Sequence, residues 1–295
     1  MFIGELSALT AALLWSTSSF VFTAATFRIG TIQLNISRMI IAALLLLITF
    51  LIFNINFELT LSQLAYLSLS GFVGLVIGDS FLFKAFNLIG PRISLLLLSF
   101  NPAFAAIFAF IMLGEVLSFY AIAGMAVTLL GITLVVLDKP KMGNGRFRIT
   151  KFGILCGFLA AIGQGVGLVL AKMAYSSGEV HSLVATFVRI AAAVIIMLPF
   201  AILLKKYKNP FKLFAKDRKS LGLVALGAVI GPYLGITLSF IAIIYTQVGI
   251  ASTLMSTMPI IMLPMTKIIY KEKLSMNAII GAFIAVTGVA ILFLA

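Results

Sequence analysis

Ten runs of about 20 apolar residues, the length a helix needs to cross a bilayer, take up most of this 295-residue chain. They fall at roughly 4–27, 34–53, 63–83, 92–113, 117–137, 152–175, 183–204, 220–244, 248–269 and 274–295. The chain is 62% hydrophobic, where a soluble domain is nearer half, and it carries too little polar surface to stay in water. The expected fold class is an all-α polytopic membrane protein with ten transmembrane helices and no soluble domain of any size. No cleavable signal peptide is evident: the first run carries Glu5 early, lacks a basic n-region and is followed by no small-residue cleavage pattern. The single cysteine, Cys156, lies inside an apolar run, which excludes a disulfide and a cysteine-based metal site. No metal or other cofactor is expected.

The chain also repeats itself. Shifted by 157 residues, "GEVLSFYAIAGMAVTLLG" (114–131) falls on "KEKLSMNAIIGAFIAVTG" (271–288). In the same register Gly74 meets Gly231, Gly78 meets Gly235, Phe83 meets Phe240, Pro102 meets Pro259 and Glu115 meets Glu272. A slightly shorter register brings Arg38 onto Arg189. The reading is two five-helix repeats, 1–138 and 152–295, joined by a basic linker with Gly and Pro at 139–151.

Five is odd, so the copies must be inverted relative to each other. The loops after helices 1, 3, 5, 7 and 9 hold 18 of the 21 Lys and Arg, whereas those after helices 2, 4 and 8 hold none. The loop at 54–62 has none and its copy at 205–219 has seven. By the positive-inside rule the basic loops are cytoplasmic, which places both termini outside a cytoplasmic (inner) membrane. This also accounts for the net charge of +13 without a nucleic-acid partner.

Inverted repeats are a signature of secondary transporters: two similar halves around one site have two equivalent packings, each open to one face. The 5+5 repeat resembles the drug/metabolite transporter superfamily, and in particular its ten-helix EamA-like exporters. So do "ALLWSTSSF" in helix 1, an Arg entering helices 2 and 7, and "NPAFAAIFAFIMLGEVLS" echoed by "MPIIMLPMTKIIYKEKLS". The resemblance covers essentially the whole chain. It implies a ten-helix basket with a central cavity that exports amino acids, other small metabolites or drugs. The chain departs from that pattern at Phe83 and Phe240, where Tyr is frequent, and at Gln164, which stands in the place of Trp15.

A polar group deep in the bilayer costs roughly 2.5–3.5 kcal/mol on insertion scales and faces protein or a watery cavity. Asp79 is the acid within an apolar run. It reads either as a site for a proton or substrate amine, or as the partner of Lys84 or Arg92. Arg38 and Arg189 either attract an anionic group such as a carboxylate, or snorkel to headgroups and hold backbone carbonyls. Trp15 and the hydroxyls Ser16, Thr17, Ser18 and Ser19 interrupt helix 1; Trp15 and Ser19 are taken as cavity residues, against the alternative that the hydroxyls bond back to the preceding turn. Gln164, pseudo-symmetric with Trp15, and Asn101 complete the substrate candidates together with Tyr233. Pro102, Pro259 and Pro232 are expected kinks. Lys172 is expected to snorkel to the outer surface, and His181, the only His, to be a solvated turn residue.

Gly124, Gly131, Gly281 and Gly288 read as close helix packing between the halves. "GQGVG" (163–167) lacks the phosphate-loop spacing, and no Walker motif suggests ATP drive. The expected partners are a small-molecule substrate, the lipid bilayer and a proton as candidate coupling ion, with the chain as a monomer. The rival reading, a membrane-embedded enzyme or lipid-handling protein, would need clustered acids, a metal site or a His base. The sequence does not cluster them, so no catalytic residue is assigned.

Overall fold

The structure is a computed structural model describing residues 2–137, 150–270 and 275–294. Most of the basic linker (138–149), and Glu272 with Lys271 and Lys273, lie outside the described residues. Among the described residues the regular structure is entirely helical. Among the described residues ten helices are long and apolar enough to cross a membrane. Helices 1–5 are Ile3–Ile29, Thr31–Phe53, Leu61–Leu82, Leu96–Leu113 and Phe119–Leu137. Helices 6–10 are Lys151–Ser176, Ser182–Leu203, Arg218–Tyr245, Val248–Met265 and Met276–Phe293. A short helix, Pro210–Lys216, lies between helices 7 and 8. The expected runs and the observed helices agree to within a few residues.

The helix ends follow from local chemistry. Thr60 and Gln63 form a capping box at the start of helix 3. Thr150 and Ser275 cap helices 6 and 10 through their hydroxyls. Helix 4 stops at Gly114, whose φ of 68° suits a residue without a Cβ. His181 accepts from the Leu183 backbone N–H at 3.3 Å and so caps helix 7.

The two halves share their irregularities. Helix 3 passes through a π-helical stretch at Gly71–Gly78, and helix 8 through one at Val229–Tyr233. These positions coincide in the 157-residue register, and π turns of this kind recur at functional sites. Pro232, expected to break helix 8, is absorbed in its π stretch. Helices 4 and 9 are interrupted at residues 99–100 and 256–257. Pro102 lies in the first turn of Asn101–Leu113, and Pro259 in the first turn of Met258–Tyr270. The expected mid-helix kinks are therefore helix breaks, because proline is best accommodated where its missing N–H would be unpaired anyway. One symmetry fails. The second half breaks at Thr246, which is extended (φ −144°, ψ 169°), while in the first half the backbone stays helical over Asp79–Leu98. The break expected between helices 3 and 4 is absent there.

Helices 5 and 10 pack along the glycine face. A Cβ at Gly131 would overlap the Ala285 backbone, and one at Gly124 would come within 3.0 Å of the Leu292 side chain. Helix 1 lies along helix 8, and helix 6 along helix 3. These two contacts are pseudo-symmetric: the Trp15 indole rests on Gly235, and the helix 6 backbone at Gly163 and Gln164 rests on Gly78.

Candidate functional site: a charge centre shared by the two halves

Four of the residues singled out in the sequence come together where helices 2, 3, 6 and 7 meet. Asp79 sits at the junction between the π stretch of helix 3 and the α-helix that follows. One oxygen accepts from Arg38 Nη2 of helix 2 at 3.3 Å, the other from Gln164 Nε2 of helix 6 at 2.7 Å. Gln164 also donates to the Gly74 carbonyl at 3.1 Å, one of the backbone groups in the π stretch. Arg38 is held from behind by Asn35, whose Oδ1 accepts from Nε at 3.0 Å. Its guanidinium lies over the Phe22 ring, 4.7 Å from the centroid. Asp79 is 7% exposed, so this pair is desolvated.

Arg189 is the helix 7 counterpart of Arg38, and its surroundings are different. It is 3% exposed. Its guanidinium lies 5.4 Å from the Phe240 ring centroid, and Phe240 in turn packs edge-on against Tyr175. A Cβ at Gly74 would come 2.6 Å from Arg189 Nη2, so glycine there keeps the space the guanidinium uses. Among the described residues no carboxylate is within ion-pair distance of Arg189, and its Nε has no hydrogen-bond acceptor. The centre therefore holds two guanidinium groups and one carboxylate.

Of the expected partners of Asp79, the Arg92 side chain lies outside those described, and Lys84 is not the partner. Lys84 is exposed, and the carboxylate pairs with Arg38. Nor does Arg38 snorkel, since it spends its donors on Asp79 and Asn35. Lys172 does not reach for the surface either. It donates to the Ile243 carbonyl and, at 3.0 Å, to that of Thr246, and lies 3.4 Å from Glu115. A lysine so placed satisfies the last carbonyls of helix 8 and opposes the negative end of its dipole. Glu115 also accepts from the Val248 N–H at 2.9 Å, tying the loop after helix 4 to the second half.

The remaining candidates make their contacts elsewhere in the fold. Asn101 approaches helix 6 at Gly165, one residue from Gln164, and its Oδ1 is buried without a hydrogen bond. Trp15 packs on Gly235 of helix 8. The four hydroxyls of the run at 16–19 bond back to their own helix, Ser16 to Ala12, Thr17 to Leu13, Ser18 to Trp15 and Ser19 to Ser16. Ser16 and Ser19 also reach helix 9, at the Met258 carbonyl and the Met262 sulfur. The Tyr233 hydroxyl shares a 2.8 Å hydrogen bond with Thr49 of helix 2.

Sequence reasoning missed Asn35, Phe22 and Gly74 as parts of the centre. Asn35 carries a readable signal, since i and i+3 share a helix face. Phe22 does not, because its contact with Arg38 depends on how helices 1 and 2 pack.

Two inverted five-helix repeats enclosing a desolvated charge centre define a multi-pass membrane carrier. The chain belongs to the EamA-like transporter family, whose pattern matches residues 2–137 and again 151–294. It is a membrane transporter of the drug/metabolite type. Twenty-nine chains of solved structures are similar to it. One, described only as "Crystal structure of protein", is 22% identical with a TM-score of 0.78, over 99% of this chain and 96% of that one. At that identity the likeness is one of fold. No curated protein matches the chain in sequence.

Proposed function

We propose that the chain is a secondary transporter that exports small organic solutes, among them amino acids or related metabolites and drugs, across the cytoplasmic membrane. It works as a monomer, by alternating access of a central cavity. The observation that carries this reading is the composition of the charge centre. Arg38 and Asp79 come from the first half, and Gln164 and Arg189 from the second; the Gln164–Asp79 hydrogen bond crosses between them, so a rocking of one half against the other must remake it. Asp79 is the carboxylate in position to couple transport to a proton, since coupling needs a group whose interactions differ between the two access states. Trp15, Ser19, Asn101 and Tyr233 line the approach to the centre in this reading. The basic loops face the cytoplasm and both termini face outward.

Purified protein in proteoliposomes, loaded with a mixture of labelled amino acids, should release them faster than protein-free vesicles. Release no faster than from protein-free vesicles, combined with hydrolysis of lipid headgroups, would favour the enzyme class instead. An inward pH gradient should drive uphill flux in the native chain but not in Asp79→Asn, which keeps downhill exchange. Orientation is tested separately in a Cys156→Ala background. Glu58→Cys should react with an impermeant thiol reagent from outside and Asn144→Cys should not; the reverse pattern overturns the topology.

A further inference from the structure

The 157-residue register that aligns Gly78 with Gly235 places Ile236 at the position of Asp79. The two halves thus present the same pair of helices with different chemistry. In the first half an arginine of helix 2 meets an aspartate of helix 3. In the second, an arginine of helix 7 meets a helix 8 that carries isoleucine, 7% exposed, in the equivalent place. Arg189 keeps a ring beneath it, Phe240, and a glycine that leaves it room, Gly74. What it lacks, among the described residues, is a carboxylate within ion-pair distance, and its Nε stays unsatisfied at 3% exposure. A buried charge without a partner is costly, and such groups in membranes mark substrate paths. The two arginines and the single aspartate leave one positive charge uncompensated.

We propose that the transported solute supplies that missing carboxylate: Arg189 binds the carboxylate of a small organic monoanion, in the role that Asp79 plays for Arg38. This deepens the transporter reading and rests on it. A singly charged carboxylate neutralises the centre, and its two oxygens match the planar fork of a guanidinium. A phosphate monoester, carrying close to two negative charges, would leave the centre negative. A cation would be repelled. A neutral amide would leave the guanidinium unpaired. Phe240, beside Arg189, and Tyr175, edge-on to Phe240, would meet the apolar part of the solute.

The test has two arms. In the first, thermal shift of the purified full chain is measured against a panel of monocarboxylates of two to ten carbons, their amides, the corresponding amines and phosphate esters, because a ligand of the folded state raises apparent stability. Carboxylates should give the shifts and their amides, amines and phosphate esters should not. Loss of one charge-assisted hydrogen-bond pair in Arg189→Gln should weaken binding about 10- to 100-fold, with Arg189→Lys intermediate. Hits confined to amines, amides or phosphate esters overturn the proposal, as does a panel without a carboxylate hit, or carboxylate binding that survives in Arg189→Gln. The second arm needs no ligand. Ile236→Asp provides the carboxylate from within. It should raise the melting temperature or leave it unchanged when Arg189 is present, and lower it in the Arg189→Gln background. It should also abolish carboxylate binding. Equal destabilisation in both backgrounds would show that Arg189 is not waiting for an anion. Vesicle flux separates the two readings: a carboxylate that binds but is not moved leaves the site and removes the transporter, whereas flux of other solutes only leaves the transporter and removes the site.

Discussion

Helix 6 meets helix 3, and helix 1 meets helix 8, through the same device: each meeting is built at a glycine, Gly78 in one half and Gly235 in the other. Across Gly78 lies Gln164, which carries the contact onward to Asp79 and the Gly74 carbonyl. Across Gly235 lies Trp15, whose indole fills the space instead. The repeat has kept the backbone approach and changed what passes through it. One crossing is a polar relay into the charge centre; the other is a packing contact. Fold in this chain is thus a property of both halves, while chemistry belongs to the asymmetry between them.

The sharpest way to break this comparison is to remove the carboxylate that makes the first half polar. Asp79→Ala leaves the desolvated Arg38 unpaired, and breaking a buried pair from one side costs about 3–5 kcal/mol. Arg38→Met combined with Asp79→Ala should recover most of that loss, since apolar replacement of a buried pair is often neutral. Denaturant titration of the four proteins in the cycle measures it. If Asp79→Ala unfolds at the same denaturant concentration as the native chain, the pair contributes nothing to the fold. Uphill, gradient-driven transport should be absent in both variants.

A smaller effect separates the two crossings themselves. In Gly235→Ala the new methyl overlaps the Trp15 indole, whereas in Gly78→Ala its nearest neighbours, the Gln164 nitrogen, the Gly163 carbonyl carbon and the Val73 oxygen, are at 3.4 Å. Overpacking costs about 1–3 kcal/mol, so Gly235→Ala should melt well below Gly78→Ala. Adding Trp15→Ala should relieve the first and do nothing for the second. Equal melting of the two single variants would mean that the crossings are not built differently.

The ten helices were legible because hydropathy alone demands them, and the inversion because five is odd and the basic residues alternate between loops. Asp79, Arg38, Gln164 and Arg189 were legible one by one as polar groups in apolar runs. Their pairing was not. Asp79 lies 41 residues from Arg38 and 85 from Gln164, whereas Lys84, the near neighbour in sequence, is exposed. Lys172 was misplaced for the same reason: its nearness to Glu115, and to the last carbonyls of helix 8, arises only when the halves pack. The unbroken helix over Asp79–Leu98 had no signal either, since its copy in the second half does break.

The end of the molecule at Lys172 sharpens the comparison further. Lys172→Met keeps the side-chain bulk and removes the donor to the Ile243 and Thr246 carbonyls and the partner of Glu115. A hydrogen bond to a charged group contributes about 1.5–3 kcal/mol. Part of this is replaced by water at a helix end, so about 1.5 kcal/mol should be lost in the same titration. Glu115→Gln should lose less, because its amide oxygen still accepts from the Val248 N–H.

The smallest effect is a dependence on pH. Arg28, at the end of helix 1, holds Asp217, just before helix 8, with Nη2–Oδ1 at 2.8 Å and Nε–Oδ2 at 2.9 Å. The Ser220 hydroxyl and backbone N–H donate to the same carboxylate at 2.6 and 3.1 Å. Arg28 and Ser220 together keep the Asp217 carboxyl well below the usual carboxylate range. The 157-residue register puts Thr60 at the position of Asp217, and a threonine does not ionise. A carboxyl whose folded pKa is depressed contributes its stability above the unfolded value, about 3.9, and loses it as pH falls towards the folded value. The contact between helices 1 and 8 should therefore loosen below about pH 4, while the Thr60 capping box should not respond. Hydrogen exchange at Ser220 and Leu221, compared with Gln63 and Leu64 between pH 6 and pH 3, reads the two ends separately. Protection corrected for intrinsic rates should fall at the first pair only. In Asp217→Asn the fall should vanish, with protection at Ser220 already low at pH 6. A native chain whose two ends lose protection in parallel would mean that acid acts on the whole bundle and not through this carboxylate.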